Sequence, residues 1–283
     1  MNSICIVTDD SAQFTSPLFT GSQFTHIIPN QINLEGKTGK ITLARELPRT
    51  TGDEFHPRLM GPSSDDFRQL FQDLSASHNV IIGIFISGKL NNCVENAREA
   101  AASFHGGPNI QIIDSGTFSI GLGLIVQNAA KAIQDGANGV EVERIARDSI
   151  QRSYAVLCAP GLSYLHSNNF IDHGQASVGE MLSIYPIYTI EDGSLVPVDK
   201  VRNNRHAIVY YQEFIDEFDE LENIAFLQSA PPTPQDTRLI RDHARENFPS
   251  ALFSEHSINM PCAVLFGPRT TALFLIECPQ DTY

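Results

Sequence analysis

Several polar residues of this 283-residue chain stand where a ligand site can form, directly after short apolar runs. Asp9 and Asp10 follow the first apolar run, Asp114 follows a later one, and Ser87 and Asn91-Asn92 follow a third. In parallel α/β sheets, ligands collect at the carboxyl ends of the strands, although Asp is also a common turn residue. Each of these positions therefore has two interpretations, as a ligand contact or as a turn or cap.

The start of the helix after Asn91-Asn92 leaves the same choice open. The pair is either a simple N-cap, or it holds a negative group together with the helix amides. Cys93 follows at once, and a thiol at a helix N-terminus can be activated for nucleophilic chemistry. No protease or transferase signature accompanies it, so an enzyme using Cys93 or Ser87 is the least favoured alternative.

Motifs for metals and nucleotides are missing from the sequence. His166 and His173 are seven residues apart with no Cys pair near them, and no H-x-x-H or H-E-x-x-H occurs. Gly121 and Gly123 do not complete a G-x-G-x-x-G fingerprint, and there is no Walker sequence. The sequence thus predicts no metal site and no cofactor.

The elements that must position these residues alternate in type through the first half. Apolar runs at 3–8, 80–86 and 110–113 predict buried strands, and helical periodicity follows them. A helix over 65–74 is indicated by Phe67, Leu70, Phe71 and Leu74, with acids in its first turn. Similar spacing predicts helices near 94–104, 124–132 and 142–146. Such alternation predicts a parallel α/β domain.

The pattern changes after residue 160. Apolar stretches at 184–188 and 195–201 flank Asp192-Gly193, which predicts an antiparallel hairpin. Further strands are expected at 224–228 and 271–277, with a helix at 236–247. We therefore predict an N-terminal α/β domain over 1–159 and a C-terminal α+β domain with an antiparallel sheet over 160–283.

Net charge, apolar runs and cysteine usage indicate which ligand classes and which cellular location suit this chain. With 19 Lys and Arg against 33 Asp and Glu, the chain has a net charge of −14, which repels phosphate backbones and disfavours nucleic acid as a ligand. Apolar runs such as 272–276 are too short to cross a bilayer, and the first residues do not resemble a signal peptide. The cysteines are odd in number and widely spaced, which favours reduced thiols and a cytoplasmic location. They are Cys5, Cys93, Cys158, Cys262 and Cys278.

Ordered motifs along nearly the whole chain resemble those of the DegV family. They begin with Thr8-Asp9-Asp10-Ser11 and continue through Gly61-Pro62-Ser63, Ile86-Ser87-Gly88 and Ile113-Asp114-Ser115 to the late Gly267-Pro268. This resemblance implies an N-terminal α/β domain with a doubly wound parallel sheet, and a C-terminal α+β domain with an antiparallel sheet. It further implies one fatty acid lying between or beneath the domains. It also implies a carrier that is not an enzyme and that presents the acid to a partner acyl kinase.

The resemblance also implies that the head-group site has changed. The family Thr that binds the carboxylate falls on Leu59, and its Ser falls on Asn91, which keeps an amide donor. The family Arg falls on Phe170, and its His falls on Leu265. A buried carboxylate without donors is costly, so we expect altered selectivity among long-chain lipids. The open alternatives are that these three apolar residues are ordinary core, filling the pocket of an interaction protein, or that they line a lipid site.

Overall fold

The computed structural model describes residues 3–35, 41–52 and 55–279. Its strands are β1 (Ile4–Asp9), β2 (Thr25–Ile28), β3 (Gln31–Glu35), β4 (His56–Met60), β5 (Val80–Phe85), β6 (Asn109–Asp114), β7 (Ser153–Cys158), β8 (Tyr185–Glu191), β9 (Ser194–Val201), β10 (Leu221–Gln228), β11 (Leu252–Ser257) and β12 (Thr271–Glu277). Its helices are α1 (Ser64–Ser75), α2 (Cys93–Ala102), α3 (Ser119–Gln134), α4 (Gly139–Gln151), α5 (Leu162–Ser167), α6 (His173–Met181), α7 (Asn204–Ile215), α8 (Pro234–Asn247) and α9 (Met260–Phe266).

The chain divides into two compact units. The first comprises Met1–Gln31, Met60–Gln151 and Asp192–Ser194, and the second comprises Ile32–Leu59, Arg152–Glu191 and Leu195–Tyr283. This division differs from the single boundary expected after residue 159. β7 pairs with β12 and β8, so it belongs to the second sheet. The segment 32–59 also returns to the second unit, where Tyr164 donates to the Pro48 carbonyl.

The first unit is built on a parallel sheet in the order β2-β1-β5-β6. The predicted helix over 65–74 is confirmed as α1, which starts at a capping box in which Ser63 and Asp66 cap each other's backbone amides. Its buried Phe67 packs against Phe85 of β5. The alternation of strand and helix in the sequence therefore does produce a parallel α/β unit.

Helix α3 explains the paired glycines of the sequence. It is buried over most of its length, and a Cβ atom on Gly123 would lie 1.8 Å from the carbonyl oxygen of Gln13. Only glycine permits this close approach of helix to loop. Gly123 thus serves helix packing.

The second unit contains a six-stranded sheet in the order β11-β10-β12-β7-β8-β9. The pairs β10–β12, β12–β7 and β7–β8 are antiparallel, as expected, but β10 and β11 are parallel. The sheet is mixed because α8 connects β10 to β11, and a crossover helix returns the chain in the same direction. The predicted hairpin around Asp192-Gly193 is formed by β8 and β9. None of the described helices has the length and apolar composition needed to span a bilayer.

Candidate functional site

The carboxyl ends of β1 and β5 are joined through the buried side chain of Asp9. Its Oδ1 accepts hydrogen bonds from the Ser11 amide (3.0 Å) and the Asn30 side chain (2.9 Å). Its Oδ2 accepts one from the Ile86 amide (2.8 Å). A buried carboxylate with three donors is well satisfied, so Asp9 holds the strand ends together.

Asn30 extends this arrangement to Asp10 and to Asn91. Its backbone and side-chain amides both donate to Oδ1 of Asp10, at 2.9 and 2.7 Å, and its Oδ1 accepts from Asn91 (3.0 Å). Burial raises the pKa of Asp10, while the bonds from Asn30 oppose that rise. We call Asp9, Asp10, Asn30 and Asn91 the edge network. No sequence pattern identified Asn30, because it follows β2 and is distant from Asp10 and Asn91 along the chain.

The loop that leads into α2 is held by side chains that the sequence had marked as ligand candidates. Ser87 donates to the Gly193 carbonyl (2.7 Å), and Oδ2 of Asp114 accepts from the Gly88 amide (3.2 Å). Asn92 is the N-cap residue of α2, but its Oδ1 accepts from the Gly61 amide (2.8 Å). Asn91 caps the Cys93 amide instead (2.9 Å). The structure therefore brings Ser87, Asn91, Asn92 and Asp114 into one loop system.

Cys93 lies under this loop and is fully buried. Burial raises the pKa of its thiol well above the ordinary value, and the carboxylates of Asp9, Asp10 and Asp114 add to the rise. Gly61 lies against it, since a Cβ atom on Gly61 would be 2.5 Å from the Cys93 Cα. An activated cysteine needs a lowered pKa and access for a substrate, and Cys93 has neither.

Asn168 connects the elements that carry two of the three apolar candidates of the second unit, Leu59 and Leu265. Its Oδ1 accepts from the Leu59 amide (3.1 Å), and its amide group donates to the carbonyls of Tyr164 (3.0 Å) and Val264 (2.9 Å). One side chain thus connects β4 and α9 to α5. We call Leu59, Phe170 and Leu265 the apolar cluster. Asn168 is a residue that sequence reasoning passed over, although it lies two positions before Phe170.

The members of the apolar cluster differ in exposure. Leu59 and Leu265 are buried, whereas Phe170 is half-buried and stacks on Phe266, with ring centroids 6.1 Å apart. Phe170 is placed by the end of α5, where Asn169 adopts a positive φ of 63° and the Phe170 amide donates to the Leu165 carbonyl (2.9 Å). This is a Schellman-type helix end, for which Asn is well suited.

Similarity to known proteins agrees with this architecture. The sequence model described as "Uncharacterised protein, DegV family" matches residues 3–278. The chain belongs to the DegV family. A DegV domain-containing protein of Caldanaerobacter subterraneus is 28% identical over 218 residues, which cover 76% of this chain and 77% of the relative.

Two solved DegV-type structures share the fold at low identity. The fatty acid binding DegV family protein of Streptococcus agalactiae superposes with a TM-score of 0.81 at 18% identity, covering 99% of this chain and 100% of its own. The fatty acid kinase (Fak) B3 protein of Streptococcus pneumoniae, loaded with linoleic acid, gives a TM-score of 0.79 at 15% identity, with coverages of 98% and 100%. These likenesses confirm the predicted two-part DegV fold.

Among the cavities in the described part of the chain are four of about 300 to 710 Å³. These four are lined by residues other than the seven predicted site residues. One of them, next to β2, is mostly apolar and includes the exposed Leu18 and Ile27. The assignment of a lipid head group to Leu59, Asn91, Phe170 and Leu265 stays a prediction from the family resemblance.

Proposed function

We propose that this DegV-family protein is a non-catalytic carrier of a long-chain lipid. The observation that carries the proposal is the family match over residues 3–278. It is supported by the shared fold with proteins described as fatty acid binding or loaded with linoleic acid. Burying about 15 methylenes at about 0.8 kcal/mol each contributes on the order of 12 kcal/mol, so the acyl tail supplies most of the affinity.

The selectivity of this carrier is expected to differ from that of a free-acid binder. Leu59, Phe170 and Leu265 have no side-chain donor for a carboxylate, and one amide hydrogen of Asn91 is already donated to Asn30. The nearby carboxylates Asp9 and Asp10 also repel an anion at this edge. We therefore favour a lipid with an uncharged head group, or weak discrimination among fatty acids.

A second candidate function is an interaction protein whose former lipid pocket is filled. The burial of Leu59 and Leu265 favours this alternative. An enzyme using Cys93 or Ser87 is disfavoured. Burial raises the pKa of Cys93, and the Ser87 hydroxyl donates to a backbone carbonyl rather than to a base.

We further propose that the carrier works with an acyl kinase in the cytoplasm. If the bound lipid is a fatty acid, a separate acyl kinase that takes it from the carrier would account for a protein without chemistry of its own, and the Fak B3 protein is named for a fatty acid kinase. All five cysteines are free thiols, and four of them are buried, which supports a reducing compartment such as the cytoplasm.

The first experiment is to purify the protein from its native cell without detergent, extract it with organic solvent and identify stoichiometric lipid by mass spectrometry. A near one-to-one lipid supports the carrier. No lipid, together with no binding of added acyl chains, favours the filled pocket. Leu265→His should enrich free fatty acids among the bound lipids, with Leu239→His on the surface of α8 as control. An unchanged lipid population in a folded Leu265→His variant contradicts the placement of the head group.

A further inference from the structure

Cys5, His26 and His78 form a cluster in the first unit that plays no part in the proposed lipid site. One potential ligand atom from each residue lies within 4.8 Å of the other two. Cys5 is near the start of β1, whereas Asp9 ends the same strand, and four residues of strand span about 13 Å. The cluster is thus at the opposite end of β1 from the edge network.

The fold itself brings the three side chains to one face of the sheet. Val7 is paired with His26 across the parallel strands β1 and β2, so Cys5, two residues before Val7, faces the same side as His26. Cys5 is paired with Ile81 of β5, and Phe85 further along β5 points to the same side as Ile81. Phe85 packs against Phe67 of α1, so α1 covers this face. His78 enters from the turn that follows α1.

The donor set is one that transition metals prefer. A thiolate with two imidazoles suits Zn²⁺, which takes four tetrahedral ligands and accepts water as the fourth. Zn–S and Zn–N bonds of about 2.3 and 2.0 Å place neighbouring ligand atoms about 3.3 to 3.6 Å apart. Small rotations of the partly exposed His26 and His78 can close the remaining distance.

One histidine of the cluster is already oriented by a backbone group. Nδ1 of His78 lies 3.2 Å from the Leu74 carbonyl oxygen and 3.0 Å from the Ser77 hydroxyl. A carbonyl bond to one ring nitrogen fixes the tautomer and leaves the other nitrogen as the metal donor. We propose that Cys5, His26 and His78 form a Zn²⁺ site, with water as the fourth ligand.

Zn²⁺ binds cysteine as the thiolate and histidine as the neutral imidazole. Coordination at this site must therefore displace the proton of the Cys5 thiol, and uptake of the metal should release protons.

Untagged, metal-free full-length protein titrated with Zn²⁺ by calorimetry tests the site, with Co²⁺ as a spectroscopic probe. We expect one equivalent of Zn²⁺ and, with Co²⁺, a thiolate charge-transfer band and the visible bands of tetrahedral coordination. His26→Ala and His78→Ala should each weaken Zn²⁺ binding at least about 100-fold, beyond the loss typical of an outer-shell partner. His105→Ala, an exposed histidine of the same unit, is the matched control.

Loss of the charge-transfer band in Cys5→Ser would support the thiolate ligand. Because His26 and His78 are partly exposed, their variants keep the test informative even if the buried Cys5→Ser variant fails to fold. Wild-type protein that binds no Zn²⁺ at micromolar concentrations overturns the proposal. An unchanged Zn²⁺ affinity in either histidine variant also overturns the proposal. His26 and His78 would then be a histidine pair packed edge to face beside a core cysteine.

Discussion

The edge network of the first unit and the apolar cluster of the second each contain residues that the family resemblance predicts to contact a head group, Asn91 in the network and all three in the cluster, yet they are stabilised in different ways. In the edge network, Asp9 has three donors and Asn30 connects two carboxylates to Asn91. In the apolar cluster, packing dominates and Asn168 alone satisfies several backbone groups. Buried polar side chains are thus retained in the edge network because each has a partner there, whereas the apolar cluster depends on packing.

The apolar cluster should be the more sensitive region to loss of volume. Leu265→Ala removes a fully buried side chain, and we expect a cost of about 3 kcal/mol in the free energy of unfolding. Urea unfolding followed by circular dichroism measures it. Leu239→Ala on the exposed face of α8 should cost less than about 1 kcal/mol. Equal costs would show that Leu265 is not part of a packed core.

Loss of the Asn168 side chain, which connects β4 and α9 to α5, should cost somewhat less. Asn168→Ala leaves the Leu59 amide and the carbonyls of Tyr164 and Val264 without this partner, and we expect destabilisation of about 2 kcal/mol. Asn169→Gly is the neighbouring control, because glycine tolerates the positive φ at that position. Hydrogen exchange of the Leu59 amide should accelerate in Asn168→Ala alone. Unchanged exchange there would argue against its role as the connecting residue.

The edge network should respond to a change of charge without a change of shape. In Asp9→Asn, the new side-chain NH₂ group faces at least one of the three N–H groups that donate to Asp9, so that hydrogen bond is lost. We expect the free energy of unfolding to fall by about 1.5 kcal/mol. Asp114→Asn is a suitable comparison, since Asp114 ends β6 and each of its carboxylate oxygens accepts only one backbone amide. If Asp114→Asn lost more unfolding free energy than Asp9→Asn, the Asp9 carboxylate would not be the more important of the two for stability.

The smallest expected effect is a pH dependence at Asp10. Burial raises its pKa above 3.8, so the folded state binds this proton more tightly, and the resulting stabilisation is lost as pH rises through the folded pKa. The stability of wild type relative to Asp10→Asn should therefore increase as pH falls from 7 towards 3.8. The stability of wild type relative to Asp66→Asn should instead decrease as pH falls, because hydrogen bonds from Ser63 lower the pKa of Asp66. Urea titrations at several pH values test both signs.

Much of the fold could be predicted because periodicity is a local property. The strand runs at 3–8, 80–86 and 110–113 and the helix over 65–74 all correspond to described elements. The short helices α5 and α9 were not predicted, since six or seven residues give too little periodicity to recognise. The parallel pairing of β10 with β11 also escaped prediction, because strand direction depends on how α8 returns the chain.

The sequence by itself determined the family and the alternation of elements, and it predicts that Leu59, Phe170 and Leu265 stand in place of polar head-group residues. Only the tertiary structure decided which side chains meet. Asn30 joins Asp10 to Asn91, Asn168 joins Leu59 to Val264, and His26 approaches Cys5 and His78. Such contacts link residues far apart along the chain, and their energy depends on distance and burial, which no local pattern of residue types records.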